Sequence, residues 1–441
     1  MQIANVQAKA AEPGTPPPKL QFSDAISWLR DHAFDMWADF GCDAENGGFV
    51  ERIDLQGRPL VENRRVRVQA RQIYCFAHAR ELGWGGDWRK VIDHGERFIL
   101  AHGRDSNGYL RGTYPATGVP ADAPPDLYDQ AFYLLALAQS YRVTGDAKYR
   151  ELALALLDNI RRDFAHPMGG FYDTPLNRDA LRSNPHMHLL EAALAWIEVS
   201  DAPAWRDLAD EMVGVCRDKL IDPRSGALLE FFNTDWTPVR TGAQAIIEPG
   251  HLFEWTWLLT RYEAICDVSC SPIYRQLYDL GQRHGVCRQR GVAINELHHD
   301  LSWRNASARL WPQTERLKAS LALAQLADGT DRDGYVTAAQ DAIHSIGLYL
   351  DGLPKGLWRD KMADDGSFVS EPAPASTFYH LVCAFAEVAK SEIAISHPHP
   401  TLAAQGSPSP ASGRRVAQNS SPVLREKVAL ASRGSDEGGN T

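Results

Sequence analysis

Hydrophobic residues recur at helical spacing in long stretches of the chain, and small polar turns separate these stretches. Segment 127–145 reads LYDQAFYLLALAQSYRVTG, segment 188–200 reads HLLEAALAWIEVS, and segment 251–265 reads HLFEWTWLLTRYEAI. Apolar residues at intervals of three and four give each predicted helix an apolar face. Glycine, aspartate and proline lie between the stretches, where helices should begin and end. The pattern therefore predicts a protein built mostly of α-helices.

A glycine turn beside an aromatic or aliphatic pair recurs six times. The copies read ENGGFV (45–50), SNGYLRG (106–112), MGGFYD (168–173), RSGALLE (224–230), RGVAINE (290–296) and DGSFVSE (365–371). Measured between Gly48, Gly108, Gly170, Gly226, Gly291 and Gly366, the intervals are 60, 62, 56, 65 and 75 residues. Each interval has room for two helices, and one helical hairpin cannot bury its apolar face alone.

Six such hairpins can form an open solenoid or close on themselves. An open solenoid normally has a shorter period and polar capping repeats. We therefore predict a closed all-α barrel of about twelve helices, with the recurrent loops and short β-like elements gathered at one end around a funnel. The predicted boundaries are a flexible leader at 1–20, the barrel at 21–395, and a disordered tail rich in Ser, Pro and Gly at 396–441.

Composition narrows the class of protein and of partner. Hydrophobic residues make up 44% of the chain and charged residues 23%, and no apolar run approaches the roughly 20 residues of a membrane span. A formal net charge of −10 disfavours nucleic acid or an anionic membrane as partner. Seven scattered cysteines without a C-x-x-C pair predict reduced thiols and, with no secretory signal at the N-terminus, a cytoplasmic location. A homo-oligomer is compatible with all of these features.

Polar and aromatic residues concentrate near the predicted starts of alternate helices. The segments are RRVRVQARQIY (64–74), PDLYDQAF (125–132), RSNPHMHLLEA (182–192), IEPGHLFEW (247–255), LWPQTERLKA (310–319) and PAPASTFYHLVCAF (372–385). Equivalent positions of successive hairpins line one cavity in a barrel, so His188, His251 and His380 should converge there. A single histidine on a helix is usually structural, but three near helix starts favour proton transfer. His186 would point elsewhere and is interpreted as structural.

Other side chains complete the predicted site. Glu254 lies one turn after His251 on the same helical face, so it should orient that imidazole and raise its basicity. Arg71 lies in an apolar helix, where its charge needs a substrate oxygen or a carboxylate as partner. Planar polar groups and aromatic faces suit sugar hydroxyls, and the predicted substrate-binding residues of this kind are Tyr128, Asn184, Trp311 and Glu315.

The sequence also bears on metal and cofactor binding. The H-x-H pair at 186–188 superficially resembles a ligand pair, but no cluster of Cys, His and carboxylates with zinc spacing accompanies it. Phosphate-loop, dinucleotide and nucleophile-elbow motifs are also absent. We expect a site that uses neither metal nor cofactor.

The segments VQARQIY, NPHMHLLEA, PGHLFEW, LWPQTERLKA and FYHL, in this order, resemble the N-acylglucosamine 2-epimerase superfamily. That superfamily includes D-mannose isomerases, other aldose-ketose isomerases and cellobiose 2-epimerases. The resemblance covers roughly residues 25–390 and implies an (α/α)6 barrel, in agreement with the period of the turns.

The resemblance also assigns roles residue by residue. It implies a sugar-binding arginine at Arg71 and a pocket histidine at His188. It implies the two principal acid/base residues at His251 and His380. Glu254 would be the partner of His251. Trp311 and Glu315 would line the pocket, and Tyr128 matches less closely because Asp129 follows it.

These features predict an aldose-ketose isomerase that converts D-mannose, or a close relative, into D-fructose through a cis-enediol. The alternative is a 2-epimerase of N-acylglucosamine or cellobiose type. Arg64, Arg65 and Arg67 could hold a phosphate group or form a solvated face, so a phosphorylated substrate such as mannose 6-phosphate is also an alternative. Two alternatives belong to other classes of protein. One is a glycoside hydrolase with Asp129 and Glu254 as its carboxylates, and the other is a non-catalytic sugar-binding barrel.

Overall fold

The computed structural model describes residues 19–116, 124–176, 178 and 181–391. The predicted tail, and all but the last two residues of the predicted leader, lie outside these ranges. None of the helices described is both long and apolar enough to cross a membrane. All seven cysteines lie in the described part, and each is a free thiol, as the sequence predicts.

The helices follow the predicted hairpin order. They are α1 (Phe22–Trp28), α2 (Phe34–Asp39), α3 (Val66–Ala79), α4 (Trp88–Phe98), α5 (Leu127–Thr144), α6 (Ala147–Asp163), α7 (Ser183–Ile197), α8 (Pro203–Val215), α9 (Pro249–Cys266), α10 (Ser271–His284), α11 (Trp311–Leu326), α12 (Gly329–Leu350) and α13 (Ala375–Lys390). A π-helical segment, Leu29–Ala33, joins α1 and α2 into one continuous helix. Two more, Ile99–Gly103 and Cys216–Leu220, extend α4 and α8.

Six of these helices form a closed inner ring. Helices α3, α5, α7, α9, α11 and α13 pack each on the next, and α13 packs on α3. The outer helices α4, α6, α8, α10 and α12 each pack on the inner helix that precedes them, and α1 packs on α13. Counting α1 and α2 as one helix, the described residues form twelve helices in two layers. The predicted (α/α)6 barrel is confirmed.

Burial separates the two layers. Thirteen of the 15 residues of α7 are buried, against five of the 17 residues of α6. An inner helix packs against neighbours on several sides, so it is apolar almost all round, whereas an outer helix keeps a solvated face. A polar side chain on an inner helix therefore has to find a protein partner or face the central cavity.

Short antiparallel strands gather at one end of the barrel. They are β1 (Arg52–Ile53), β2 (Arg64–Arg65), β3 (Thr113–Tyr114), β4 (Leu181–Arg182), β5 (Phe231–Phe232), β6 (Val286–Cys287), β7 (Val292–Ala293), β8 (Glu296–Leu297), β9 (Trp303–Asn305), β10 (Ala308–Arg309), β11 (Lys361–Met362) and β12 (Ala373–Pro374). The pairs are β1 with β12, β2 with β3, β4 with β5, β6 with β7, β8 with β9, and β10 with β11. Ile53 faces Ala373 in the β1–β12 pair, which links the first and last hairpins. Strands β2, β4 and β12 run directly into the first residues of α3, α7 and α13.

The six glycines that mark the sequence repeat share one backbone conformation. Their φ angles are 68° at Gly48, 90° at Gly108, 75° at Gly170, 72° at Gly226, 74° at Gly291 and 86° at Gly366. Side chains other than glycine rarely adopt this left-handed region. The repeated turn therefore requires glycine, which explains why the period is visible in the sequence.

In four of the six units, a side chain of the inner helix clamps the turn. Gln130 accepts a hydrogen bond from the Leu110 amide at 2.8 Å and donates one to the Leu110 carbonyl at 3.1 Å. Gln69 and Gln313 make the same pair of bonds to Phe49 and Ala293. In the third unit His186 takes this place.

The role of His186 follows from its two bonds. Its Nε2 accepts from the Phe171 amide at 3.0 Å, and its Nδ1 contacts the Arg182 carbonyl at 2.8 Å. The side chain is fully buried. Both ring nitrogens of His186 contact backbone groups, so the interpretation of this residue as structural is confirmed.

Replacing a clamp should destabilise the barrel. In Gln130→Leu the buried amide and carbonyl of Leu110 lose their partner, and each unsatisfied buried polar group costs about 1–3 kcal/mol. We expect the free energy of unfolding to fall by about 2 kcal/mol or more in urea denaturation monitored by circular dichroism. The exposed Gln56→Leu is the matched control, and equal stability of the two variants would show that the clamp contributes nothing.

Candidate active site

A cavity of about 240 Å3 opens where the inner helices begin. It is lined by Arg65, Arg67, Arg71, Tyr128, Asn184, His188, Glu248, His251, Glu254, Arg309, Trp311, Ser376, Thr377 and His380. Eight of the nine site residues predicted from the sequence are in this set. The ninth, Glu315, is buried behind it. Residues from all six inner helices or the segments just before them meet here, because equivalent positions of a closed ring face one axis.

The three predicted histidines share one arrangement. His188 Nδ1 hydrogen-bonds Glu191 Oε2 at 3.0 Å, and His380 Nδ1 hydrogen-bonds Glu315 Oε1 at 2.9 Å. His251 Nδ1 lies 3.0 Å from Glu230 Oε1. No protein hydrogen bond to Nε2 of any of the three is found among the described residues. In each case a carboxylate fixes the ring through Nδ1, which leaves Nε2 for a ligand in the cavity.

Glu230 and Glu248 control the charge of His251. The Glu230 contact lacks hydrogen-bond alignment, so the attraction is mainly between charges. Glu248 Oε2 lies 3.9 Å from the same Nδ1. Burial lowers the pKa of His251, but the two carboxylates more than offset this and raise the pKa to about 10. His251 is therefore an imidazolium near neutral pH.

The structure pairs His251 with a different carboxylate from the one expected. Glu254 was predicted to orient His251, but no bond or ion pair joins the two among the described residues, and Glu230 takes that position. Burial and then Glu315 raise the pKa of Glu254 well above its ordinary value. Its Oε1 has no hydrogen-bond partner. Glu254 thus lies in the cavity wall, within 4.8 Å of donor atoms of the pairs around both His188 and His380.

Sequence reasoning missed Glu230 and Glu248. Glu230 is the last residue of the fourth glycine turn, RSGALLE, and its carboxylate also accepts a bond from the Ser183 hydroxyl at 2.6 Å. Glu248 is the residue just before α9. The turn motif was a visible signal, but only the folded connection between α8 and α9 brings Glu230 back to His251.

Glu315 supports His380 and does not bind a ligand directly, which corrects its predicted role. Its second oxygen lies 2.7 Å from the ammonium of Lys318, and both side chains are fully buried. Lys318 supplies the positive charge that Glu315 needs in this environment. His380 itself has a pKa well below its ordinary value because of burial, with Arg71 and Lys318 acting in the same direction. It is therefore a neutral imidazole.

His188 lies between the other histidines and the aromatic wall. Its ring centroid is 4.4 Å from Phe132 and 5.2 Å from Tyr128. Burial lowers its pKa and Glu191 partly offsets this. Although burial acts against it, the pKa of Glu191 falls to about 2, because His188 and the Tyr379 hydroxyl bind the ionised carboxylate. His188 has a fixed orientation and no partner on Nε2.

Arg71 brings an uncompensated positive charge to the cavity. Its Nη2 donates to the Tyr128 hydroxyl at 2.6 Å and its Nη1 to the Ser376 carbonyl at 3.2 Å. Its guanidinium carbon lies 4.0 Å from the centroid of Phe132. Nε is buried and unpartnered, and no carboxylate among the residues that the structure describes binds this arginine. In its predicted sugar-binding role, Arg71 would bind a substrate oxygen. Its hydrogen bond to Tyr128 holds that hydroxyl where it can bind the same oxygen.

Trp311 and Asn184 complete the predicted lining. The Trp311 ring lies between two histidines, with centroids 5.1 Å from His251 and 5.7 Å from His380. The side-chain oxygen of Asn184 is buried without a hydrogen-bond partner. An aromatic plane beside an unsatisfied amide is suited to a sugar ring and one of its hydroxyls.

Three further arginines line the rim of the cavity, and each is paired with a carboxylate. Arg67 binds Asp129 at 2.7 Å and Arg309 binds Asp360 at 3.1 Å. Arg65 binds Glu51. Asp129, one of the two carboxylates considered for glycoside hydrolysis, is therefore engaged in an ion pair.

Three sets of side chains have the composition of metal sites. They are His188, Glu191 and Glu254; Glu230, Glu248 and His251; and Glu254, Glu315 and His380, with donor atoms in each set within 4.8 Å of one another. In each set the histidine Nδ1 already contacts a carboxylate. A metal ion held on these Nδ1 atoms would have to displace the carboxylate contacts, whereas an ion on the free Nε2 atoms would leave them in place. Metal independence remains a prediction.

Comparisons with known proteins identify the family of this chain. Residues 47–384 match the N-acylglucosamine 2-epimerase (GlcNAc 2-epimerase) family. A relative named mannose-6-phosphate isomerase, from Rhizobium meliloti (strain 1021), is 43% identical over 376 residues, covering 84% of this chain and 97% of the relative. A cellobiose 2-epimerase from Bacteroides fragilis is 24% identical over 250 residues, covering 52% of this chain and 62% of the relative.

The fold is also similar to solved structures. A crystal structure of D-mannose isomerase superposes with a TM-score of 0.76 at 19% identity, over 82% of this chain and 97% of the other. At this identity the similarity concerns the fold alone, which is the (α/α)6 barrel.

Removing the charge of Glu230 should impair the site without unfolding it. Glu230→Gln keeps the shape of the side chain but removes the negative charge that holds His251 protonated. We expect kcat/KM to fall by about 10- to 100-fold, the usual effect of losing a residue that orients a catalytic group. The exposed Glu45→Gln is the control. An unchanged kcat/KM in a folded Glu230→Gln protein would show that this carboxylate does not act on the reaction.

Proposed function

Because the chain belongs to the N-acylglucosamine 2-epimerase family of sugar isomerases and 2-epimerases, we propose that it is an aldose-ketose isomerase acting on a mannose-type hexose. The observation that carries the proposal is the contrast between His251 and His380. One is an imidazolium and the other a neutral imidazole, and both flank Trp311 in one cavity. Two titratable groups with pKa values driven apart make an acid and a base.

We assign the base to His380 and the acid to His251. Neutral His380, fixed through Nδ1 by Glu315, has Nε2 available to accept the C2 proton of the open-chain aldose. His251, charged through Glu230 and Glu248, protonates the ring oxygen to assist ring opening. Both tasks are within the ordinary range of histidine acid/base catalysis.

The isomerisation then needs three proton movements. Loss of the C2 proton to His380 leaves the electron pair in a C1=C2 double bond and places negative charge on O1, giving a cis-enediolate. Arg71 stabilises that charge. The O2 proton then passes to O1, and His380 returns its proton to C1 as the C2=O double bond forms, so the aldose becomes a ketose with no net gain or loss of atoms.

The size of the cavity and the relatives support the substrate class. A cavity of about 240 Å3 lies below the range of roughly 300–1,000 Å3 common for larger ligands, which favours a monosaccharide. The 43% identity to a protein named mannose-6-phosphate isomerase favours mannose or its 6-phosphate over an N-acyl sugar or a disaccharide.

A 2-epimerase is the second candidate, and one observation favours it. His251 and His380 come from different helices and lie on either side of Trp311, so a proton taken by one could be replaced by the other at the opposite face of C2. The product of the reaction distinguishes the two candidates.

We expect D-mannose, or mannose 6-phosphate, incubated with the enzyme in D2O after dialysis against EDTA to yield fructose or fructose 6-phosphate by proton NMR. His251→Ala and His380→Ala should lose at least 100-fold in rate, the lower end of general acid-base contributions. Formation of glucose would identify a 2-epimerase. With no turnover of mannose, mannose 6-phosphate, N-acetylglucosamine or cellobiose, the proposed function would be wrong.

The acid/base assignment also predicts a pH profile. As pH falls, kcat/KM should decrease only well below the ordinary pKa of histidine, where His380 gains a proton and can no longer accept one. As pH rises, kcat/KM should decrease as His251 loses its proton near its pKa of about 10. In Glu230→Gln the alkaline decrease should move to lower pH, since the charge that raises this pKa is gone. A wild-type profile in that variant would contradict the role of His251 as the acid.

A further inference from the structure

A second, larger cavity of about 660 Å3 lies away from the candidate active site, between α10, α12 and the β6–β7 turn. Five basic residues line it, namely Lys19, Arg283, Arg288, Arg290 and Arg316, against one acidic residue, Asp341. Arg283 is paired with Asp279 at 3.1 Å. The other arginines have no carboxylate within ion-pair distance among the described residues.

Arg316 stands out by its burial. Only Arg64, Arg71 and Arg316 are buried arginines in the described part of the chain. Arg64 is paired with Asp43. Arg71 has no carboxylate partner and lines the candidate active site, where a ligand oxygen would complete it. Arg316 is 5% exposed and resembles Arg71 in lacking such a partner.

Neutral acceptors hold the guanidinium of Arg316 in place. Its Nε donates to Gln282 Oε1 at 3.2 Å and its Nη1 to the Gly291 carbonyl at 3.1 Å. Burial lowers its pKa, and Asp341 opposes this only at longer range. Nη2 has no protein acceptor among the described residues. The guanidinium is largely buried without a counter-ion, which is costly, so an anion in the cavity would be a favourable partner for Nη2.

Neutral acceptors also hold the guanidinium of Arg290, the residue before Gly291. It donates from Nη1 to the Ala363 carbonyl at 3.0 Å and from Nη2 to the Ala306 carbonyl. These bonds fix the guanidinium but do not neutralise it. The exposed Arg288 lies two residues before it and has freedom to close on a ligand.

We propose that this cavity binds the phosphate group of a small phosphorylated molecule, with Arg316 and Arg290 as fixed donors and Arg288 as a mobile one. Guanidinium groups match phosphate geometry and retain their charge at all relevant pH values. The cavity is larger than a phosphate ion needs, which leaves room for the organic part of the ligand. The proposal is independent of the sugar isomerase function.

The site shares one helix with the candidate active site. On α11, Glu315 contacts His380, and the next residue, Arg316, faces the second cavity. Because the two side chains point to different cavities, a ligand here should not compete for the groups around Arg71.

The test is isothermal titration of the full-length protein with glycerol 3-phosphate, inorganic phosphate and glycerol, at an ionic strength held constant with chloride. We expect the two phosphate compounds to bind saturably and glycerol not to bind. Arg316→Gln should weaken binding about ten-fold or more, in line with the loss of a charge-assisted hydrogen bond. Arg288→Gln, a surface change that should not affect folding, should weaken it about two- to five-fold.

Two controls locate the site. Arg150→Gln, an exposed arginine on α6, and Arg71→Gln, in the candidate active site, should bind like the wild type. The absence of saturable binding would overturn the proposal. So would wild-type affinity in both Arg316→Gln and Arg288→Gln, or loss of binding in Arg71→Gln, which would place the phosphate in the candidate active site.

Discussion

Closure of the inner helical ring is the constraint on which the rest of the structure depends. Once α13 packs on α3, the inner helices have almost no solvated face, and every polar side chain on them needs a protein partner or the central cavity. The glutamines of the turn clamps meet this requirement by binding backbone groups. The histidines meet it by facing the cavity with one nitrogen and a carboxylate with the other. Stability and chemistry are thus two outcomes of the same rule.

The same rule explains how chemically identical side chains acquire different protonation states. His251 lies beside Glu230 and Glu248, so its charged form is favoured in spite of burial. His380 also contacts a carboxylate, but Glu315 is shared with Lys318, and Arg71 adds a second positive charge nearby. The number of positive charges around each carboxylate, more than the presence of the carboxylate itself, decides which imidazole can donate a proton and which can accept one.

Counter-ions, or their absence, also separate structural arginines from those that await a ligand. Arg65, Arg67 and Arg309 have carboxylate partners and tie the strands and loops at the cavity rim. Arg71 and Arg316 are more deeply buried and are held by neutral groups. A buried guanidinium without a counter-ion costs a protein free energy. Its presence in two separate cavities of one barrel points to two separate anionic or oxygen-rich ligands.

The amino-acid sequence alone predicted the hairpin period, the closed barrel and eight of the fourteen residues that line the cavity. These features are local, because the glycine turns need a left-handed backbone and the helices carry their pattern within a few residues. The structure pairs His251 with Glu230 in place of Glu254 and places Glu315 behind the cavity lining, and Glu230 and Glu248 were missed. Glu230 lies 21 positions before His251, and Glu315 lies 65 before His380. Such contacts depend on how distant segments of the chain fold together, so the tertiary structure alone decided which carboxylate acts on which histidine.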